Sequence, residues 1–197
     1  MPGSMAVRSA TAAGGQARAT PALRVRYASF EARVAGATLD LLVLFIIAAL
    51  LVTAGSMVVL VSSDFEKIDP STMSINVFWV CVAAIAPAII LYFFVSYAWK
   101  GQTVGLAVMQ LMVIRSDGRP LGVLGSMARV MGLLVYAFLL AAGAIGAYVF
   151  KDATAQAAGA IGIATFLAVA GLLWAVFDSR RRALHDRIAG TIVVRIQ

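Results

Sequence analysis

The sequence predicts an all-α membrane protein: four transmembrane helices, both termini in the cytoplasm, and a small β-element on the cytoplasmic side. Three observations predict it. Of the 197 residues, 62% are hydrophobic and only 13% are charged, where soluble domains carry about a quarter charged; mean hydropathy is +0.94. Four apolar segments each reach the ~20 residues that carry a helix across a ~30 Å hydrocarbon core. The cations are sorted by loop, and that sorting fixes orientation.

Residues 1–26 are rich in Ala, Gly, Ser, Thr and Arg, and the first acid is Glu31. With no apolar core the stretch is not a secretory signal; it reads as a disordered cytoplasmic tail, and its Arg-rich, acid-free character also fits a mitochondrial transit peptide. The transmembrane domain spans 27–197, with helices at about 34–61, 77–99, 130–150 and 155–177. No water reaches the backbone in hydrocarbon, so these runs must be helical. Pro87 should kink the second. Trp79, Tyr97, Trp99, Tyr148 and Trp174 lie near segment ends, as an aromatic belt requires.

All but two of the 16 Lys and Arg fall in the N-terminal stretch up to Arg33, in the middle loop (Lys100, Arg115, Arg119, Arg129) or after the fourth helix. The other two loops hold only Lys67 and Lys151, beside Asp64, Glu66, Asp69 and Asp152. Both termini and the middle loop are therefore expected in the cytoplasm. This distribution accounts for the net charge of +7 without a nucleic-acid partner; anionic lipid headgroups are the expected partners of the basic face.

In the middle loop, Gln102 to Gln110 reads as a short interfacial helix capped by Thr103. Leu111 to Ile114 is β-prone, Ser116-Asp117-Gly118 is a turn, and Thr191 to Ile196 is β-prone again, so the two stretches are candidates to pair. The last two helices carry small-xxx-small pairs: Ala142 and Gly146, Gly143 and Ala147, Ala155 and Gly159, Ala158 and Gly162. These suit either internal packing or contact with another subunit. The lone Cys81 excludes an intramolecular disulfide and reads as a small apolar residue.

The candidate site is charged. Asp40 opens the longest apolar run, where a carboxylate carried to mid-bilayer costs about 2.5–3.5 kcal/mol. Arg33, two helical turns earlier, lies on nearly the same face, roughly 10 Å away along the axis. Near the C-terminus Asp178, Arg182 and Asp186 are spaced four apart, a charge ladder if helical. The only histidine, His185, adjoins Asp186; its ordinary pKa of about 6.5 suits a proton carrier.

At these residues the chain resembles the RDD family of small prokaryotic membrane proteins, over about 27–197. Arg33 and Asp40 match its first-helix pattern. Thr103, Gly105, Met112 to Ile114 and Asp117-Gly118 match its middle loop, and Arg129 the arginine of the following helix. Leu184-His185-Asp186 and Ala189-Gly190-Thr191 with valines match its C-terminal signature. One departure is Leu106, where many members carry lysine. The resemblance implies a multi-pass protein of the bacterial cytoplasmic (inner) membrane and, for some members, cation/proton antiport.

Two functions follow. In the first, the chain transports a cation with protons, or a small solute, through a site of Arg33, Asp40 and Asp186 supported by Arg129, Asp178, Arg182 and His185. No inverted repeat with broken helices is visible, so a transporter this small is expected to form a homo-oligomer. In the second, it is a non-catalytic accessory or assembly subunit among other membrane subunits, and the charges are structural. With no metal-ligand cluster, activated nucleophile or phosphate loop, neither an enzyme nor a cofactor is expected.

Overall fold

The computed structural model describes residues 26–196. The expected tail, apart from Arg26, lies outside the described residues. Four helical spans are long and apolar enough to cross a membrane. The first is α1 (Phe30–Ser62), whose N-cap Ser29 accepts from the Ala32 N–H. The second is broken into α2 (Thr72–Ala83) and α3 (Ile85–Lys100). The break at Ala84 lies one turn before Pro87, whose missing N–H and bulky ring disrupt the preceding turn as expected. The third and fourth are α5 (Gly122–Val149) and α6 (Thr154–Phe177). Large side chains such as Phe45, Trp99, Phe138 and Phe166 are exposed along these spans, as a surface solvated by lipid tails requires.

Three helix starts differ from the sequence reading. α2 begins at Thr72, five residues before the expected residue 77. α1 begins at Phe30 instead of Val34, and α5 begins eight residues early, because the polar and charged residues of its first turns are covered by protein: Ser126 and Arg129 are buried. Tyr97 is also buried, so it is a core residue and not part of an aromatic belt. Of the small-residue pairs, Gly143 and Gly146 pack on Ala164 and Ala160 of α6, while Gly159 and Gly162 have open space beside them.

Between the spans lie α4 (Val104–Val108), capped by Thr103, and strand β1 (Leu111–Arg115). After α6 come α7 (Leu184–Ile188) and β2 (Thr191–Arg195). The strands pair antiparallel with Val113 opposite Val193 at the centre. The lead-in to α1 adds a rung, the Ala28 N–H donating to the Val193 carbonyl at 3.0 Å. Leu111, Val113, Val193 and Ala28 form the core beneath this sheet with Tyr97, Leu106 and Val130.

These elements form two copies of one unit: a transmembrane hairpin, a five-residue helix, a left-handed residue and a five-residue strand. Gln110 (φ 55°) and Gly190 (φ 62°) are the left-handed residues. The two strands are related symmetrically, with the Ser116 N–H donating to the Gly190 carbonyl and the Ile196 N–H to the Gln110 carbonyl, each at 2.9 Å. Arg33-Val34-Ala35-Gly36 in α1 corresponds to Arg129-Val130-Met131-Gly132 in α5. Gly36 lies against Gly105 of α4, as Gly132 lies against His185 of α7. Both hairpins start at the sheet end, so this is a parallel repeat about an axis along the membrane normal, in place of the inverted kind.

Candidate functional site

The sheet end of the bundle holds two carboxylate anchors. The first is Asp186, fully buried at the N-terminal turn of α7. Arg33 reaches it from α1 at 2.6 Å, and Arg129 from α5 binds its other oxygen. The Ala183 N–H donates to Oδ2 at 3.1 Å, so Asp186 reaches back to the start of its own helix. Arg129 also donates to the Thr191 hydroxyl at 2.8 Å and stacks 4.9 Å from the Tyr97 ring centroid. Burial opposes the Asp186 charge, but Arg129, His185 and Arg33 outweigh it and hold the carboxyl well below its usual range.

The second anchor is Asp40, also buried. Its partners are the Tyr92 hydroxyl at 2.7 Å, the Thr103 hydroxyl at 2.5 Å and the Gly105 N–H at 2.8 Å. The last bond exists because Gly36 and Gly105 let α4 lie flat on α1: a Cβ on Gly105 would run into the Gly36 carbonyl.

Arg33, Asp40 and Asp186 therefore do not close as one triad. Arg33 pairs with Asp186, and Asp40 is fastened separately. The ladder also fails, because α6 ends at Phe177 and 178–183 is not helical. Its first rung survives through a turn, Arg182 Nε donating to Asp178 at 3.0 Å. That hydrogen bond lowers the Asp178 carboxyl to about 2 and raises Arg182. Asp186 is taken instead by Arg33 and Arg129. His185 is buried, its Nδ1 3.2 Å from the Tyr136 hydroxyl and its Nε2 3.4 Å from Asp186. Burial lowers its pKa to about 4 against the pull of Asp186. Burial therefore favours the neutral imidazole at pH 7.

The sequence reading misses Tyr92, Tyr136 and Gly36, takes Tyr97 for a belt residue and gives Thr191 no partner. Only the short Arg-Val-x-Gly recurrence hinted at the frame that assembles them. Among the described residues no three His, Cys, Asp or Glu side chains cluster as a metal site needs. The chemistry on offer is that of ion pairs and hydrogen-bond donors.

Beside the anchors lies a cavity of about 460 Å3, within the 300–1,000 Å3 range of small-molecule sites. Both repeats line it: Arg33, Asp40 and Leu106 from the first, Arg129, Leu172 and His185 from the second. Its surface is overwhelmingly apolar away from the charged end. Arg33 Nε and Nη2 and Arg129 Nε are buried, with no hydrogen-bond partner among the described residues.

No curated protein and no solved structure matches the chain. The RDD family model matches residues 27–190. The match takes in both hairpins, both short helices and both anchoring carboxylates, and the chain belongs to the RDD family.

Proposed function

We propose that this chain is a non-catalytic, carrier-type protein of the bacterial cytoplasmic membrane, with both termini in the cytoplasm, that handles a small amphiphilic solute. The observation that carries the reading is the cavity between the two repeats, charged at one end and apolar along the rest. Carriers built from repeats hold their substrates at the repeat interface. Cation/proton exchange is the weaker form of the transport reading. It needs a carboxylate free to trade a proton for a cation, and Asp40 and Asp186 are both spent on internal partners.

The test is translocation in proteoliposomes of a panel of fluorescent amphiphiles, fatty acids and short-tailed phospholipids, with wild type set against Ala37→Phe. Ala37 is exposed and lines the cavity, so the ring obstructs it without removing a core contact. Faster movement of at least one probe than in empty liposomes, slowed by the substitution, is expected. Movement of every probe at the empty-liposome rate removes the reading.

Gly159 and Gly162 favour a second reading, a subunit of a larger membrane assembly. They form an open small-residue face on α6 of the kind that brings helices together. Gly162→Leu should then release a partner polypeptide, or a second copy, from the protein isolated in mild detergent. A wild-type protein that isolates as a lone monomer refutes this reading.

A further inference from the structure

The repeat makes two seams between its halves, and they differ. One is α3 against α5, which pack closely. Its mate is α1 against α6, which hardly meet: α1 packs on α2, α3 and α4, and α6 on α5 and α7. The cavity lies in this unclosed seam. Leu41 and Leu44 of α1 face Leu172 and Ala175 of α6 across it. Leu44 is three helical turns beyond Arg33, about 16 Å along the axis, so the apolar wall runs from the charged end toward the bilayer interior.

The repeat also shows what the charged end lacks. Arg129 finds its acid within its own repeat, at Asp186. The corresponding position in the first repeat is Leu106. Arg33 therefore has no acid of its own and borrows Asp186 through Nη1 alone. Nε and Nη2, without partners among the described residues, lie along one edge of the guanidinium, the fork that binds a carboxylate or phosphate with two parallel bonds. Unpaired buried donors on a charged group are costly, and an incoming acceptor relieves that cost. The formal charges around the cavity balance, Arg33 and Arg129 against Asp40 and Asp186, with His185 neutral; what is missing is acceptors, and both acids are already engaged.

We infer that the α1–α6 seam is a lateral binding site for an anionic membrane phospholipid. Its phosphate sits on the free edge of Arg33 after a small rotation of that side chain, and an acyl chain lies between α1 and α6, open to the bilayer. The inference rests on the proposed function only in taking the cavity as the ligand site. It does not require translocation.

The test is binding to the full chain purified in neutral detergent. The probes are phosphatidylglycerol, phosphatidylcholine with identical chains, oleate and inorganic phosphate. Phosphatidylglycerol should bind about tenfold or more tightly than phosphatidylcholine, a difference of about 1.4 kcal/mol. Arg33→Lys keeps a cation opposite Asp186 but loses the fork, and should cost about tenfold or more in affinity, since one decade is 1.4 kcal/mol. Ala37→Phe blocks the seam from a position outside the ion pairs and should do the same; it carries the test if the lysine variant misfolds.

Equal binding of the two phospholipids overturns the inference, as does unaltered binding by a folded Ala37→Phe protein. Stronger binding of oleate overturns the phosphate assignment. Inorganic phosphate competing in the same concentration range makes the site a free-anion site and overturns the lipid. Selective lipid binding without translocation leaves the inference standing and removes the carrier reading; translocation without head-group selectivity does the reverse.

Discussion

Replacing Asp186 by Asn removes one charge on which two buried cations depend. Asp186 is 0% exposed, Arg129 4% and Arg33 12%. Removing one partner of a buried ion pair costs about 3–5 kcal/mol, because the other charge is left uncompensated. Both pairs end on the same carboxylate, so their losses do not add, and the amide carbonyl of the replacement still accepts one bond. The expected loss is about 3–5 kcal/mol, localised to the joint of α1, α5 and α7. The apolar spans do not depend on this joint for their helicity, so the loss should appear as local opening of the segment from Ala183 to Arg195. The assay is amide hydrogen exchange in detergent. At about 1.4 kcal/mol per decade, the β2 amides should exchange at least about 100-fold faster, with α1 and α6 protected as before. Asp178→Asn is the control. Its pair with Arg182 lies at the partly exposed surface, where such pairs contribute about 0–1 kcal/mol. Unaltered β2 exchange in the Asp186→Asn protein would refute the reasoning, since the carboxylate would then be fastening nothing.

Three further outcomes are expected. Gly105→Ala forces α4 off α1 and breaks the bond from the Gly105 N–H to Asp40; overpacking alone costs about 1–3 kcal/mol, read as a lowered thermal midpoint, with the milder clash at Gly132→Ala lowering it less. Asp40→Asn places an amide NH2 or a lone carbonyl against three donors and should cost about 1–3 kcal/mol; a midpoint equal to wild type contradicts the anchoring role. The buried His185 titrates near 4 when folded and near 6.5 when unfolded. The unfolded chain thus binds the extra proton first, and stability falls as pH drops from about 6.5 toward 4, by roughly 3 kcal/mol in all. The Asp186 carboxylate, depressed in the folded state, adds a further loss only below its unfolded range near 4. His185→Gln should abolish the upper part of that slope in unfolding midpoints measured against pH.

The spans are legible because hydropathy reports lipid contact directly, and the strands because two β-prone runs follow corresponding short segments of the chain, Leu111 to Ile114 and Thr191 to Ile196. The start of α5 was not. Arg129 reads as a loop cation until Asp186 and Tyr97 are known to cover it. The Asp178–Arg182–Asp186 ladder was misread for a related reason: a spacing of four implies contact only on a helix, and α6 stops at Phe177. Arg33 and Asp40 share a helix face, yet their spacing serves two separate attachments, α7 at one turn and α4 two turns on. Only tertiary contacts reveal such a division.

The duplication explains why the interesting chemistry sits where the halves disagree. Suppose both repeats carried an acid at the position of Asp186. Arg33 and Arg129 would each pair at home, and each short helix would be fastened by its own hairpin. Leu106 breaks that arrangement. Arg33 crosses the axis to share Asp186, which ties the first hairpin to the second repeat through a single carboxylate. The first repeat then needs another way to hold α4, and Asp40 supplies it with the Gly105 N–H and the Thr103 hydroxyl. In the second repeat Tyr136 occupies the place of Asp40, and α7 needs no second anchor. Shifting one acid thus leaves the fold attached at every joint while leaving a guanidinium edge without acceptors beside the one seam that does not close. A leucine at 106 is, on this argument, as much a part of the site as the arginine that must cross to Asp186 in its absence.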